Sequence, residues 1–270
     1  MYDDVLVATD GSDVADAATK QGTALARGPE ATVHVLSVAP DEESRTLYEE
    51  FAAAVADDAR EAGRVARSTV REGRPAGEIL AYADEHDVDL IVVGTHGRTG
   101  IQQVLVGSVA LEVVRDARRP VCTVSPNATI AETVDDVALA TDGWSGSAAA
   151  TDHALRLAGG ADARLHALYA VDVESDVSDT LAAFEEHGAQ TTMDVVDQAA
   201  SRDIEATRHV EQGAPHETIL AYVDGEDVDV LVMGTESKST LERLVVGSVS
   251  QRVVPNATVP VVTVRTIEDE

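Results

Sequence analysis

The chain repeats itself, and the repeat limits its fold more than any other feature. Val5–Ser12 (VLVATDGS) returns as Val137–Ser145 (VALATDGWS), and His34–Ala39 (HVLSVA) returns as His166–Val171 (HALYAV). Gly73–Tyr82 (GRPAGEILAY) returns as Gly213–Tyr222 (GAPHETILAY). Asp87–Thr95 (DVDLIVVGT) returns as Asp227–Thr235 (DVDVLVMGT), and Val106–Val109 (VGSV) as Val246–Val249 (VGSV). Five matches in one order exclude coincidence. The offset is 132 residues early and 140 later, so the second copy carries eight extra residues in its middle. A period of that size means a duplicated domain and not a solenoid. The 270 residues hold two domains of ordinary size. The expected domains are 1–126 and 135–267. The linker is 127–134, beside a cluster of Pro126, Asn127 and Thr129 between one strand and the next.

Within the first copy, strand and helix signals alternate. Val5–Thr9 is a continuous apolar run, as in a strand buried on both faces. Ser12 or Asp13 can cap a helix over 14–26. Residues 32–38 form the second expected strand. Leu47, Phe51, Val55, Ala59 and Ala62 are spaced for one helical face. Residues 65–70 form the third strand, and Pro75 opens a helix to Ala83. A fourth strand at 90–93, a helix at 108–117 and a fifth strand at 121–124 complete the copy. Alternating β and α elements imply a parallel sheet with right-handed crossovers. Aromatic residues make up 3% of the chain, so Val, Ala, Leu and Ile must build its cores.

Forty-nine acidic residues against 20 basic ones give a formal net charge of −29. Such a surface repels nucleic acid and anionic membranes at low salt, so neither is expected as a partner. Near 1 M salt the Debye length falls to about 3 Å and the repulsion is screened. The composition resembles that of a halophile's protein, in which an acidic surface would serve solubility. No apolar run approaches the roughly 18 residues of a membrane span. The start, Met1-Tyr2-Asp3-Asp4, lacks the basic and apolar regions of a signal peptide. A cytoplasmic location is therefore expected. The single cysteine, Cys122, lies in an apolar run and reads as a small buried side chain. No Cys/His cluster has zinc spacing.

After the fourth strand comes Gly94-Thr-His-Gly97-Arg98-Thr-Gly100, and nine residues after Gly97 come Gly107 and Ser108. Glycines let the backbone approach a ligand closely. Unpaired N–H groups at the start of the following helix favour an anion, and the Ser108 hydroxyl adds a donor. Asp10 ends the first strand. In an open α/β sheet, ligands bind beyond the carboxyl ends of the strands, where the strand order reverses.

The pattern Gly94-x2-Gly97-x9-Gly107-Ser108 resembles the ATP-binding signature of the universal stress protein family. Asp10, the second strand at His34–Ala39 and the Gly-Arg-Pro turn at Gly73 are the family's other expected parts. The resemblance covers nearly the whole chain, once per copy. It implies two tandem Rossmann-like domains of the adenine nucleotide alpha hydrolase-like class. Each would be a five-stranded parallel sheet in the order 3-2-1-4-5 with helices on both faces. It also implies roles. Asp10 would hold the ribose hydroxyls, Ala8 and Thr9 would line the nucleoside pocket, and Val38 would meet the adenine. Gly94, Gly97, Gly107 and Ser108 would cradle the phosphates, with Val109 beside them and Arg98 adding charge. ATP would arrive with Mg²⁺, whose ligands would be mostly phosphate and water.

Each assignment has a plainer rival. The glycines could serve only a tight connection, Asp10 only a helix cap, and His96 only a loop. The second copy departs from the pattern. Asp142, Gly234, Gly247 and Ser248 persist, but Ser237 replaces the second glycine and Glu236 sets a carboxylate near the expected phosphates. Binding there stays open. Lys238 offsets part of that charge. The apolar fifth strands, Val121–Val124 and Val261–Val264, would lie at sheet edges that need cover. The resemblance implies an intrachain pseudo-dimer through them, with a homodimer of chains as a further assembly. The leading function is an ATP-binding stress or signalling module. The rivals are a slow ATPase or nucleotide-transferring enzyme, and a nucleotide-free scaffold in which Trp144 and Tyr169 fill the second pocket.

Overall fold

The computed structural model describes residues 2–26, 31–96, 107–172, 178–235 and 247–266. The chain divides into two compact units, Met1–Glu132 and Thr133–Glu270. Each repeats one β/α succession. The first unit runs β1 (Asp4–Ala8), α1 (Asp13–Leu25), β2 (Thr32–Ala39), α2 (Arg45–Glu61), β3 (Val65–Glu72), α3 (Pro75–Glu85), β4 (Leu90–Gly94), α4 (Ser108–Asp116) and β5 (Val121–Val124). The second runs β6 (Asp136–Ala140), α5 (Ala148–Ala161), β7 (Arg164–Val171), α6 (Ser178–Ala200), β8 (Ala206–Gln212), α7 (Pro215–Gly225), β9 (Val230–Gly234), α8 (Ser248–Val253) and β10 (Val261–Val264).

The first unit's strands lie in the order β3-β2-β1-β4-β5, and the second's in the matching order β8-β7-β6-β9-β10. Every pairing within each unit is parallel. The fold expected from the alternation and the resemblance is therefore the fold observed. Right-handed crossovers carry α1 and α2 to one face and α3 and α4 to the other, because the strand order reverses at β1. The packing agrees: α1 lies against α2, and α3 against α4. Central strands are buried on both faces, as their unbroken apolar runs require; Val5, Leu6, Val7, Ile91 and Val92 are fully inaccessible.

One expectation about α2 needs correction. Its buried stripe is Ala52, Val55, Ala56 and Ala59, which keeps Val55 and Ala59 of the expected row, leaves Phe51 half-buried and drops Leu47 and Ala62. Leu47 is 42% exposed, and Ala62 is an exposed residue at the helix end. The sheet covers only the middle of a 17-residue helix. The small side chains face it because alanines let the helix sit close.

Each unit also contains a polar tie across its core. The Nε2 of His34 lies 2.9 Å from Oδ1 of Asp4 on β1, and its Nδ1 lies 3.1 Å from the Tyr82 hydroxyl on α3. A carboxylate only accepts, so Nε2–H donates to Asp4, while Nδ1 pairs with the Tyr82 hydroxyl. His166 repeats this with Asp136 at 2.8 Å and Tyr222 at 2.7 Å. Each imidazole thus has both nitrogens engaged and links a strand to the helix above it. Cys122 is buried as expected, and burial pushes its thiol up to about 12. Among the described residues no helix is long and apolar enough to cross a membrane.

Candidate functional site

β1 pairs with β4 through Val5–Leu90, Leu6–Ile91 and Val7–Val92. Residues just past Val7 and just past Val92 therefore reach the same edge of the sheet. This is the carboxyl edge at the point where strand order reverses, the standard ligand position in an open α/β sheet. Ala8, Thr9 and Asp10 arrive there from β1, Gly94 from β4 and Val38 from β2, where Ala8 is in register with Leu36. Gly107 arrives as the N-cap of α4, and Ser108 and Val109 as its first two residues. Of the residues singled out in the first copy, Gly97 and Arg98 lie outside the described residues.

The end of β1 is held by short hydrogen bonds. The Thr9 N–H donates to the Leu36 carbonyl at 2.9 Å, and the Ser37 hydroxyl donates to the Thr9 carbonyl at 2.9 Å. The Asp10 carboxylate accepts from the Ser12 N–H at 3.2 Å and turns the chain toward α1. Gly11 sits at φ +74, and a Cβ there would fall 2.5 Å from the Phe51 ring. Ser12 then caps α1, its hydroxyl accepting from the Ala15 N–H at 3.3 Å. Asp10 therefore shapes the turn while the cap belongs to Ser12. Asp13 and Asp16 occupy the first turn of α1. The Asp16 carboxyl is raised above the usual range, first by burial and then by the charge of Asp13.

The start of α4 is equally constrained. The Gly107 N–H donates to the Thr95 carbonyl at 2.6 Å, while the Thr95 N–H donates to Val124 at 2.8 Å. A Cβ at position 107 would lie 2.9 Å from the Thr95 carbonyl oxygen. Glycine here lets the helix start press against the end of β4. No side chain caps α4. Its first intrahelical bond runs from Leu111 N–H to Gly107 O at 3.1 Å, so the amides of the first turn have no carbonyl within the helix. Ser108 is exposed and Val109 half-buried. His96 lies beside this point, with Nδ1 3.0 Å from the Thr95 hydroxyl.

The second unit keeps this frame. Thr141 N–H donates to Leu168 at 3.1 Å, Trp144 N–H to the Asp142 carboxylate at 3.0 Å, and Gly247 N–H to Thr235 at 2.8 Å. Gly143 matches Gly11 at φ +74. Gly234 sits with its missing Cβ 3.0 Å from the Gly146 carbonyl, and Ser248 opens α8. Residues 236–238 lie outside the described residues. What changes is the surroundings. Trp144 stands where Ser12 does in the first copy, and a short 3-10 turn, Ser145–Ser147, precedes α5. The Trp144 ring stacks on His187 from α6, with centroids 5.0 Å apart and planes at 28°.

Sequence reasoning did not single out Thr95, Thr235 or His187. The two threonines were visible as repeated residues, and their buried place after β4 and β9 gives them a role. His187 lies in the stretch where the copies fall out of register, so the repeat offered no guide to it.

A model described as the universal stress protein family matches residues 1–125 and 133–265. Universal stress protein MJ0531 of Methanocaldococcus jannaschii is 34% identical over 140 residues, 46% of this chain and 82% of that protein. A universal stress protein of Mycolicibacterium smegmatis is 27% identical over 232 residues, 83% of this chain and 78% of that protein. The crystal structure of a universal stress protein from Archaeoglobus fulgidus overlays 99% of this chain and 97% of its own, with a TM-score of 0.75 at 21% identity. With both copies matched by the family model, the chain belongs to the universal stress protein family.

Proposed function

We infer that the first copy binds ATP across the carboxyl ends of β1 and β4 and acts as a nucleotide-responsive stress module. One observation carries this reading. The Asp10 turn and the uncapped start of α4 reach the same edge, and glycine at 107 leaves no side chain between the Thr95 carbonyl and the helix start. The amides of Ser108 and Val109 and the Ser108 hydroxyl are the donors for the phosphates. Asp10 takes the ribose hydroxyls, Ala8 and Thr9 line the nucleoside, and Val38 meets the adenine. Gly94, Gly97 and Arg98 complete the phosphate side. Among the described residues no cluster of His, Cys, Asp or Glu could hold a metal. Mg²⁺ comes with the nucleotide and keeps mainly phosphate and water as ligands. The acidic surface suits a salt-rich cytoplasm.

The test is direct. The purified protein is denatured, and released small molecules are identified by mass spectrometry. MgATP binding is then measured by calorimetry in concentrated potassium chloride. Retained or rebound ATP supports the reading, and no binding overturns it. Asp10→Asn keeps an oxygen for the Ser12 turn but removes the charge. Ser108→Ala removes one donor. Each should weaken binding about tenfold, or ~1.4 kcal/mol. Steady conversion of added ATP to ADP would replace the binding module with an enzyme.

A further inference from the structure

Where the first unit has the Tyr48–Phe51 pair on α2, with rings 5.5 Å apart, the second has a different cluster, Trp144, His187 and Tyr169. Asp142 corresponds to Asp10, so Trp144 stands in place of Ser12, and Tyr169 in place of Ser37. The helices align through the glycines they cover. A Cβ on Gly11 would meet Phe51, and one on Gly143 would meet Thr191. Thr191 thus matches Phe51, Gly188 matches Tyr48, and His187 matches Leu47. The exchange is compensatory. The first copy has a small strand residue, Ser37, and a large helix residue, Tyr48. The second has Tyr169 on the strand and Gly188 on the helix, where a Cβ would lie 2.5 Å from the Tyr169 ring. The volume has moved from the helix onto the strand bearing the crevice.

That change brings His187 over the end of β6. Its Nε2 lies 3.0 Å from the Asp142 carbonyl oxygen. A carbonyl only accepts, so this nitrogen carries the proton and donates. The imidazole also meets the edge of Tyr169 at 5.7 Å and the face of Trp144 at 5.0 Å. Trp144 is fixed from its other end, because its N–H donates to the Asp142 carboxylate. Asp142 therefore accepts from His187 on its carbonyl and from the Trp144 backbone N–H on its carboxylate; Asp10 shares the second of these bonds, with Ser12 as the donor. In the first copy the corresponding Ser12 side chain turns away to cap α1.

We propose that Trp144 and His187 form an internal latch over Asp142 that closes the second copy's crevice, so that this copy takes no nucleotide while the first does. The inference rests on the reading of the first copy as an ATP site. It makes the second unit a self-filled partner whose closed crevice needs no ligand.

The experiment restores the first copy's own residues, Trp144→Ser with His187→Leu, and compares this variant with the unaltered chain. MgATP stoichiometry is measured by calorimetry, and urea midpoints confirm that both proteins are folded. Asp10→Asn assigns the wild-type equivalent to the first copy. One equivalent in the wild type and two in the double variant support the latch. Two in the wild type, or one in both, overturn it and leave the first copy's role standing. None in the wild type but one in the variant overturns the first copy's role and supports the latch. None in either overturns both. A second readout is independent of nucleotide. Trp144 is the chain's one tryptophan, so its emission reports the stack. His187→Leu alone should change that emission, and an unchanged spectrum overturns the latch.

Discussion

The two copies are nearly the same frame finished in two ways. Both hold the turn after their first strand with a glycine at φ +74. Both start the last helix by donating a glycine N–H to a threonine carbonyl. Both tie strand to helix through an Asp–His–Tyr network. The differences collect at the carboxyl edge and on the surface. The helix over the candidate phosphate position has nine residues in α4 but six in α8. The first unit has 23 acidic and 12 basic residues, the second 26 and 8, for net charges of −11 and −18. A shorter helix and a more negative field both disfavour a polyphosphate in the second unit. The features the copies share are the ones the fold needs, and the differences gather where a ligand is proposed to bind.

The shared frame can be broken at its glycines. Gly11→Ala and Gly143→Ala each force a side chain into positive φ and against a packed neighbour, Phe51 or Thr191. Each should cost about 3–4 kcal/mol, measured by urea denaturation. Gly63→Ala is the control: φ is +79 there, but the space is open. It should cost only ~1 kcal/mol. Equal losses at all three positions would mean that packing plays no part.

Acid should separate the copies. The buried position held by Gln21 in α1 is held by His153 in α5. Burial lowers the His153 pKa from 6.5 to about 4. The unfolded chain then takes up a proton that the folded chain refuses. The associated stability is fully present above pH 6.5 and is lost as pH falls through 4. The loss is on the order of 3 kcal/mol. His209 is also lowered, by burial and then by the neighbouring His166, and acts in the same direction. Trp144 emission should report unfolding of the second unit at a higher pH in the wild type than in His153→Gln. Identical acid transitions would contradict this.

The exchange of volume between strand and helix predicts a coupled pair. Gly188→Ala should destabilise the second unit by about 2 kcal/mol, because Tyr169 must move. In a Tyr169→Ser background most of that cost should vanish, and a double-mutant cycle by urea denaturation measures the coupling. The smallest contrast is at the caps. Ser12→Ala removes a side-chain cap from α1 and should cost about 1 kcal/mol. Ser145→Ala, in the short turn that precedes α5, should cost about 0.5 kcal/mol or less, since Ser145 is exposed and α5 has no side-chain cap.

The fold was legible because its information is local and doubled. Buried strands such as Val5–Thr9 and Leu90–Val93 read as apolar runs, Pro75 marked a helix start, and the repeat carried these signals into the second copy. The face of α2 was legible only at Val55 and Ala59, because leucine and phenylalanine outweigh alanine in any hydrophobic pattern, yet alanine is what lets a helix approach a sheet. The position of the candidate site followed from Asp10, Gly94 and Gly107. The grip of His187 on Asp142 did not, since it joins residues 45 apart in a region where the copies lose register. Long-range pairs of that kind leave no periodic trace.

The most direct measurement compares backbone amides at the two helix starts. With the protein labelled with nitrogen-15 in concentrated potassium chloride, MgATP should shift the Ser108 and Val109 resonances and leave those of Ser248 and Val249 in place. Unmoved signals at Ser108 and Val109, or equal movement at all four, would contradict the division of roles between the copies.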